Sequence, residues 1–157
     1  VLVNTSIHFK SINFYGNKNI IIPRSQHALE NLGRQIEINK KFCFEIQGHV
    51  NAPGVPASMA YQYMDLSISR AGRIYGWLQE RGIDAGRMVA NGYAHVKMLY
   101  PNSRDEKEQQ ANRRIEIHIL DCEVVKKQRM QFDEAACLRI AAEPGFTEFR
   151  VKEQQLD

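Results

Sequence analysis

The strongest constraint on the fold lies between residues 112 and 119. Ile115, Ile117 and Ile119 alternate there with Arg114, Glu116 and His118. Strict alternation specifies a strand with one apolar face, so the chain must build a sheet and provide an apolar layer to cover it. Phe42, Phe44 and Ile46 alternate with Cys43, Glu45 and Gln47 in a second strand that ends at Gly48. The covering layer has a different period. Leu29, Leu32 and Ile36 recur at steps of three and four, which predicts an amphipathic helix to about Asn39. Leu66, Ala71, Ile74, Tyr75 and Leu78 share one face of a longer helix, predicted from about Ser58 or Ala60 to Arg81, with Gly82 placed to stop it.

The remaining segments are shorter. Ile7 to Phe14 predicts an opening strand or pair of strands, and Arg87 to Tyr93 another strand. Pro53, Gly54 and Pro56 make Val50 to Pro56 a loop, and Asp105 to Ala111 predicts a short helix. Strands that alternate with helices imply crossover connections and a sheet with helices packed against it. Beyond residue 120 that rhythm stops. Gln131 to Glu143 predicts a helix, Pro144-Gly145 a turn, and Phe146 to Val151 a short strand.

At 157 residues the chain has the length of one domain with an appendage. Its 21 basic and 18 acidic side chains leave a net charge of +3, too weak to indicate nucleic acid, and the basic residues are interspersed with acids. No apolar run approaches the roughly 18 residues of a membrane helix, and Val1 to Val3 is too short for a signal sequence. A chain that begins on Val1 without an initiator Met is expected to be a processed or excised piece of a longer protein. Cys43, Cys122 and Cys137 leave at least one thiol unpaired, and their spacings match no zinc or CxxC pattern. Small buried hydrophobes are the expectation for them, with a Cys122–Cys137 bridge as the alternative. Nucleotide-binding, nucleophile-elbow and HExxH motifs are absent, and no two of the five histidines stand at i, i+4. The reading is a non-enzyme with no metal and no cofactor.

Five strings in order carry more information. They are Phe14-Tyr15-Gly16-Asn17-Lys18, Gly48-His49-Val50-Asn51-Ala52-Pro53-Gly54, Leu66-Ser67-Ile68-Ser69-Arg70-Ala71, Gly92-Tyr93-Ala94 and Asn112-Arg113-Arg114-Ile115-Glu116. Together they resemble the FDxNK, GHTDxxG, LSxxRA, GYG and NRRxE strings of the OmpA-like carboxy-terminal domain, over about residues 7–120. The resemblance implies an α/β fold: a βαβαβ-type sandwich with a mixed four-stranded sheet and helices on one face. Residues 1–120 would form that domain and 121–157 a C-terminal extension.

The same resemblance implies non-covalent binding of peptidoglycan through the diaminopimelate of the stem peptide. The chain would then anchor a larger periplasmic or outer-membrane protein to the wall, with other envelope proteins as further partners. Diaminopimelate ends in a zwitterion. An Arg meets its carboxylate with paired N–H donors, and an Asp meets its ammonium. Arg70 matches the family's helix Arg, Arg113 the first Arg of NRR, and Asn17 the Asn of the opening loop. Asn51 stands where the family has its Asp, and Asp65 is a candidate substitute carboxylate. Other departures are Val50 and Pro53 in place of hydroxyl-bearing residues, and Tyr63 in place of an Asn. The interval of 15 positions from Asn51 to Leu66 is about four longer than the family's. These departures support an alternative: a degenerate fold serving as an interaction module that no longer binds the wall. A cleft filled by the chain's own side chains would favour it.

Overall fold

The computed structural model describes residues 5–142, with side chains from residue 12 onward. Four strands, β1 (Thr5–Asn13), β2 (Cys43–Gly48), β3 (Met88–Gly92) and β4 (Arg114–Leu120), form one sheet in the order β1-β4-β2-β3. β4 is antiparallel to both β1 and β2, and β2 is parallel to β3. Helices α1 (Gln26–Ile38) and α2 (Met64–Glu80) provide the two crossovers, and α3 (Glu106–Asn112) leads into β4. The sheet is mixed and four-stranded, as the sequence implied. The predicted Phe146–Val151 strand lies outside the described residues. No helix among the described residues is long and apolar enough to cross a membrane.

The core lies between the sheet and α1 with α2. Phe44, Ile46, Met88, Ile115 and Ile117 point into it from the sheet, and Leu29, Leu32, Ile74, Tyr75 and Leu78 from the helices. Two glycines set how closely α2 approaches the strand ends. A Cβ on Gly48 would overlap the Ser67 carbonyl oxygen, and one on Gly92 would fall 2.6 Å from the Ile68 backbone nitrogen. This contact brings the start of α2 directly over the ends of β2 and β3. Gly82 follows α2 with a φ of +97°, the left-handed stop that its place in the sequence predicts.

Two findings go beyond the sequence expectation. The polar side of β4 is covered: Arg114 and Glu116 are buried, as are Glu45 and Gln47 beside them on β2. They satisfy one another. Arg114 donates from Nε to Glu116 Oε2 at 2.7 Å, Gln47 donates to Glu45 at 2.8 Å, and His118 pairs with Glu116 at 2.8 Å. The second finding is the disulfide, which joins Cys43 to Cys122 and not Cys122 to Cys137. The expected short hydrophobe role survives only for Cys137, a buried free thiol whose pKa burial pushes up to about 12.

That bridge ties the start of β2 to the start of α4 (Cys122–Arg129), a helix with no counterpart in the sequence reading. α4 seats Val125 against Cys43 and Val89 on the face opposite the main core. Next, α5 (Glu134–Ala142) packs along α2, where Gly72 and Gly76 leave room for Cys137 and Ala141. Tyr75 donates to Glu134 at 2.6 Å, and Arg129 donates to the Tyr75 hydroxyl at 2.9 Å. Residues 121–142 are therefore packed onto the sheet and α2.

Stability measurements by urea unfolding check this account. Gly48→Ala should cost about 3 kcal/mol or more, because backbone and not a flexible side chain blocks the new methyl. Ala94 adopts a φ of +48° where the family string carries Gly. Ala94→Gly should therefore be neutral or stabilising by up to about 1 kcal/mol, the left-handed strain relieved less the added chain entropy. Opening the 79-residue separation spanned by Cys43–Cys122 should cost up to about 4–5 kcal/mol on the loop-entropy account.

Candidate functional site

The five strings of the sequence converge at the ends of β2 and β3. At their centre is Arg70, whose exposure is 0%. Because Gly48 admits α2 so closely, the guanidinium reaches the main chain just beyond β2. It donates from Nη1 to the His49 carbonyl at 3.0 Å. It also donates from Nε to the Lys18 carbonyl at 2.9 Å and from Nη2 to the Tyr15 carbonyl at 3.0 Å. Phe14 lies beneath it, 5.2 Å from ring centroid to guanidinium carbon. Arg70 thus holds the 15–18 turn against the end of β2. Asn17 sits in that turn with a φ of +62°, a conformation Asn tolerates better than most residues.

Asn51 is equally enclosed, with 0% exposure. Its Oδ1 accepts from Asn112 Nδ2 at 2.8 Å, and its Nδ2 donates to Gln109 Oε1 at 3.0 Å. Asn112 is itself fixed by Tyr100, donating to its carbonyl and accepting from its amide. This arrangement suits an amide side chain, which donates and accepts at once; a carboxylate only accepts. Arg113 is buried, and its Nη1 meets Glu106 at 2.9 Å and Gln110 at 3.0 Å. The structure therefore brings Arg70, Asn51, Arg113 and the Asn17 turn to one end of the sheet. Asp65 lies elsewhere in character: it is exposed in the first turn of α2.

The lengthened segment after Asn51 is ordered by local contacts. A 3-10 turn occupies Ala57–Gln62, so α2 starts at Met64, later than the predicted Ser58 or Ala60. His95 Nε2 lies 3.0 Å from the carbonyls of both Val55 and Pro56, and Tyr63 packs on the His95 ring at 5.0 Å. Gly54 donates to the Pro101 carbonyl at 2.9 Å. Gln109 is the partner that sequence reasoning missed, because nothing in its position marks a contact 58 residues away. Asn112 was visible only as the first letter of the NRR string.

Below this end lies His49, with 1% exposure and its ring stacked on Tyr93 at 5.5 Å. Gln47 gives its NH2 to Glu45, leaving its Oε1 as acceptor, so His49 carries its hydrogen on Nε2. His49 Nδ1 is buried with no hydrogen-bond partner among the described residues. Burial first, and the Arg114 charge second, lower the His49 pKa from 6.5 to about 3. For Glu116, burial acts to raise the pKa. The His118 hydrogen bond and the Arg114 charge outweigh it and hold the carboxyl well below the usual range.

Residues 13–113 match the model of the OmpA family. The chain belongs to the OmpA family. The fold of this OmpA-family chain is shared with the cell wall anchor of the T6SS from Pseudomonas aeruginosa, at a TM-score of 0.55 and 23% identity over 73% of this chain and 78% of that one. It is also shared with the peptidoglycan-associated lipoprotein from Burkholderia pseudomallei, at a TM-score of 0.57 and 17% identity over 69% of this chain and 86% of that one. A curated relative, the Photosystem I P700 chlorophyll a apoprotein A2 of Gloeobacter violaceus, is 34% identical over 86 residues. That match takes in 52% of this chain and 9% of the relative, so it concerns a short segment of a much longer protein.

Acid titration of stability reads the buried histidine directly. The unfolded state takes up the His49 proton near 6.5, the folded state only near 3. The unfolded chain binds more protons in that window, so stability is fully present above pH 6.5 and falls as pH drops, by up to about 1.4 kcal/mol per unit. Glu116 adds loss of the same sign below its unfolded value of 4.5. His49→Gln should flatten the pH 4.5–6.5 portion of the curve and leave the steeper part below it.

Proposed function

We propose that this OmpA-family chain is a peptidoglycan-binding module that holds a larger exported protein or complex to the cell wall. The observation that carries the reading is Arg70 at the convergence of the family's strings. Its planar guanidinium is the group suited to the carboxylate of a diaminopimelate side chain. Recognition of a zwitterionic stem-peptide end needs charge placement and no catalyst. The names of two structural relatives, a cell wall anchor and a peptidoglycan-associated lipoprotein, support the same reading. In this proposal residues 1–120 form the binding domain, and 121–157 an extension whose α4 and α5 brace it.

The proposed location is the periplasm, at the wall or the outer membrane. The Cys43–Cys122 disulfide supports it, since such bridges persist in oxidising compartments. Binding at Arg70 requires the ligand carboxylate to replace the carbonyls of Tyr15 and Lys18, so the 15–18 turn must shift outward as the ligand enters. Asn51 offers a neutral acceptor where the family has a charged one. The difference, on the order of 1 kcal/mol, weakens binding several-fold.

One observation favours a second reading, an interaction module that keeps the fold without the wall ligand. Arg70 and Asn51 are both fully enclosed by hydrogen bonds within the chain. Pelleting with insoluble sacculi at low salt separates the two. Wall binding predicts that the native chain co-sediments and that Asn51→Asp increases the bound fraction several-fold. Arg70→Lys, which keeps a charge but loses the fork, should reduce it. A folded native chain left wholly in the supernatant, with Asn51→Asp beside it, would leave the second reading standing.

A further inference from the structure

A cavity lies at the opposite end of the sheet from Arg70, between α1 and the strands. Its volume is about 210 Å³. Leu32 and Ile36 of α1, Phe44 of β2, Ile117 and Ile119 of β4, and Phe42 supply its walls. An apolar cavity of about 150 Å³ is enough to bind benzene, so this one accommodates an alkyl chain of roughly six to eight carbons.

Gln35 and Asn39 interrupt these apolar walls at the end of α1, and one charged group stands among them. Arg87 lines the cavity, with its guanidinium 6.0 Å from the Phe44 ring centroid. Its hydrogen bonds run from Nε to the Phe42 carbonyl at 2.9 Å, and from Nη2 to the carbonyls of Ile36 at 3.2 Å and Asn39 at 2.7 Å. All three partners are neutral. Among the described residues no carboxylate pairs with Arg87, Asp84 acting on it only through space, and Nη1 donates to none of them. A guanidinium fixed by backbone carbonyls, with two N–H groups unspent, is a preorganised anion donor. The adjoining depression shares Asn39 and Phe42 with the cavity and adds Lys40 and Lys41, so the neighbourhood is cationic.

We propose that this cavity binds a medium-chain carboxylic acid, with its alkyl tail among Leu32, Phe44 and Ile117 and its carboxylate on Arg87 Nη1. The apolar walls select the tail, and the single unspent guanidinium edge selects a compact, singly charged head. The site is separate from Arg70 and does not depend on wall binding.

Calorimetric titration of the whole chain with octanoate and with octanol tests the proposal without any substitution. Octanoate should bind saturably at one site, and octanol, matched in tail but uncharged, about tenfold more weakly. Arg87→Lys should narrow that preference while leaving octanol unchanged. Leu32→Phe, which fills the cavity, should abolish binding of both in a chain whose thermal unfolding remains cooperative. No saturable binding of octanoate to the native chain would overturn the proposal. So would equal affinity for octanoate and octanol, or octanoate binding that survives Leu32→Phe.

Discussion

The end of this sheet is organised around one buried cation. Backbone carbonyls beyond a strand end have no ladder partner, and burying them unpaired costs roughly 1–3 kcal/mol each. Arg70 donates to three carbonyls, on Tyr15, Lys18 and His49, from a single planar group, the Tyr15 carbonyl accepting also from the Lys18 amide. Neither a lysine nor a neutral side chain offers donors in three directions in one plane. That geometry is available only because Gly48 and Gly92 let α2 approach the strand ends. The helix, the opening turn and the end of β2 are thus set by one side chain, and the proposed binding site lies where they meet.

Under the proposed function, a consequence follows from that arrangement. The group best suited to a ligand carboxylate is the same group that stabilises the unliganded protein, so ligand and backbone compete for it. Replacing neutral carbonyl acceptors with a carboxylate gains charge-assisted hydrogen bonds, roughly twice as strong as neutral ones. The exchange favours an anionic ligand, at the cost of freeing the 15–18 turn. Asn51 lies on the other side of the balance. Its amide is held between Asn112 and Gln109, a pairing that encloses it and would supply no charge to a ligand ammonium.

Much of the fold was legible because it depends on local period. The alternation in Arg114–Ile119 and Phe42–Gly48 and the three-four spacing of Leu29, Leu32 and Ile36 each map onto an observed element. What was illegible depended on distant partners. Alternation marks the polar residues of β4 but not their partners: Arg114, Glu116, Gln47 and Glu45 form hydrogen bonds among themselves and are buried as a set. No feature of residues 43 and 122 marks them as neighbours, since only the folded sheet brings the start of β2 beside the start of α4. The helix α4 carries a single buried residue, Val125, too little apolar periodicity to announce it. At the cleft, Arg70, Asn51 and Arg113 were found through the family's strings. Their enclosure was not, because Gln109 and the carbonyls of residues 15 and 18 leave no trace in a motif.

The competition for Arg70 is the centre of this account, and amide chemical shifts report it most directly. Titrating the chain with a stem peptide ending in diaminopimelate should shift the amides of Asn17, Lys18 and Val50 saturably, as the turn releases the guanidinium, while those of α5 stay still. A folded chain whose 15–18 and 49–51 amides do not move at saturating peptide would contradict it.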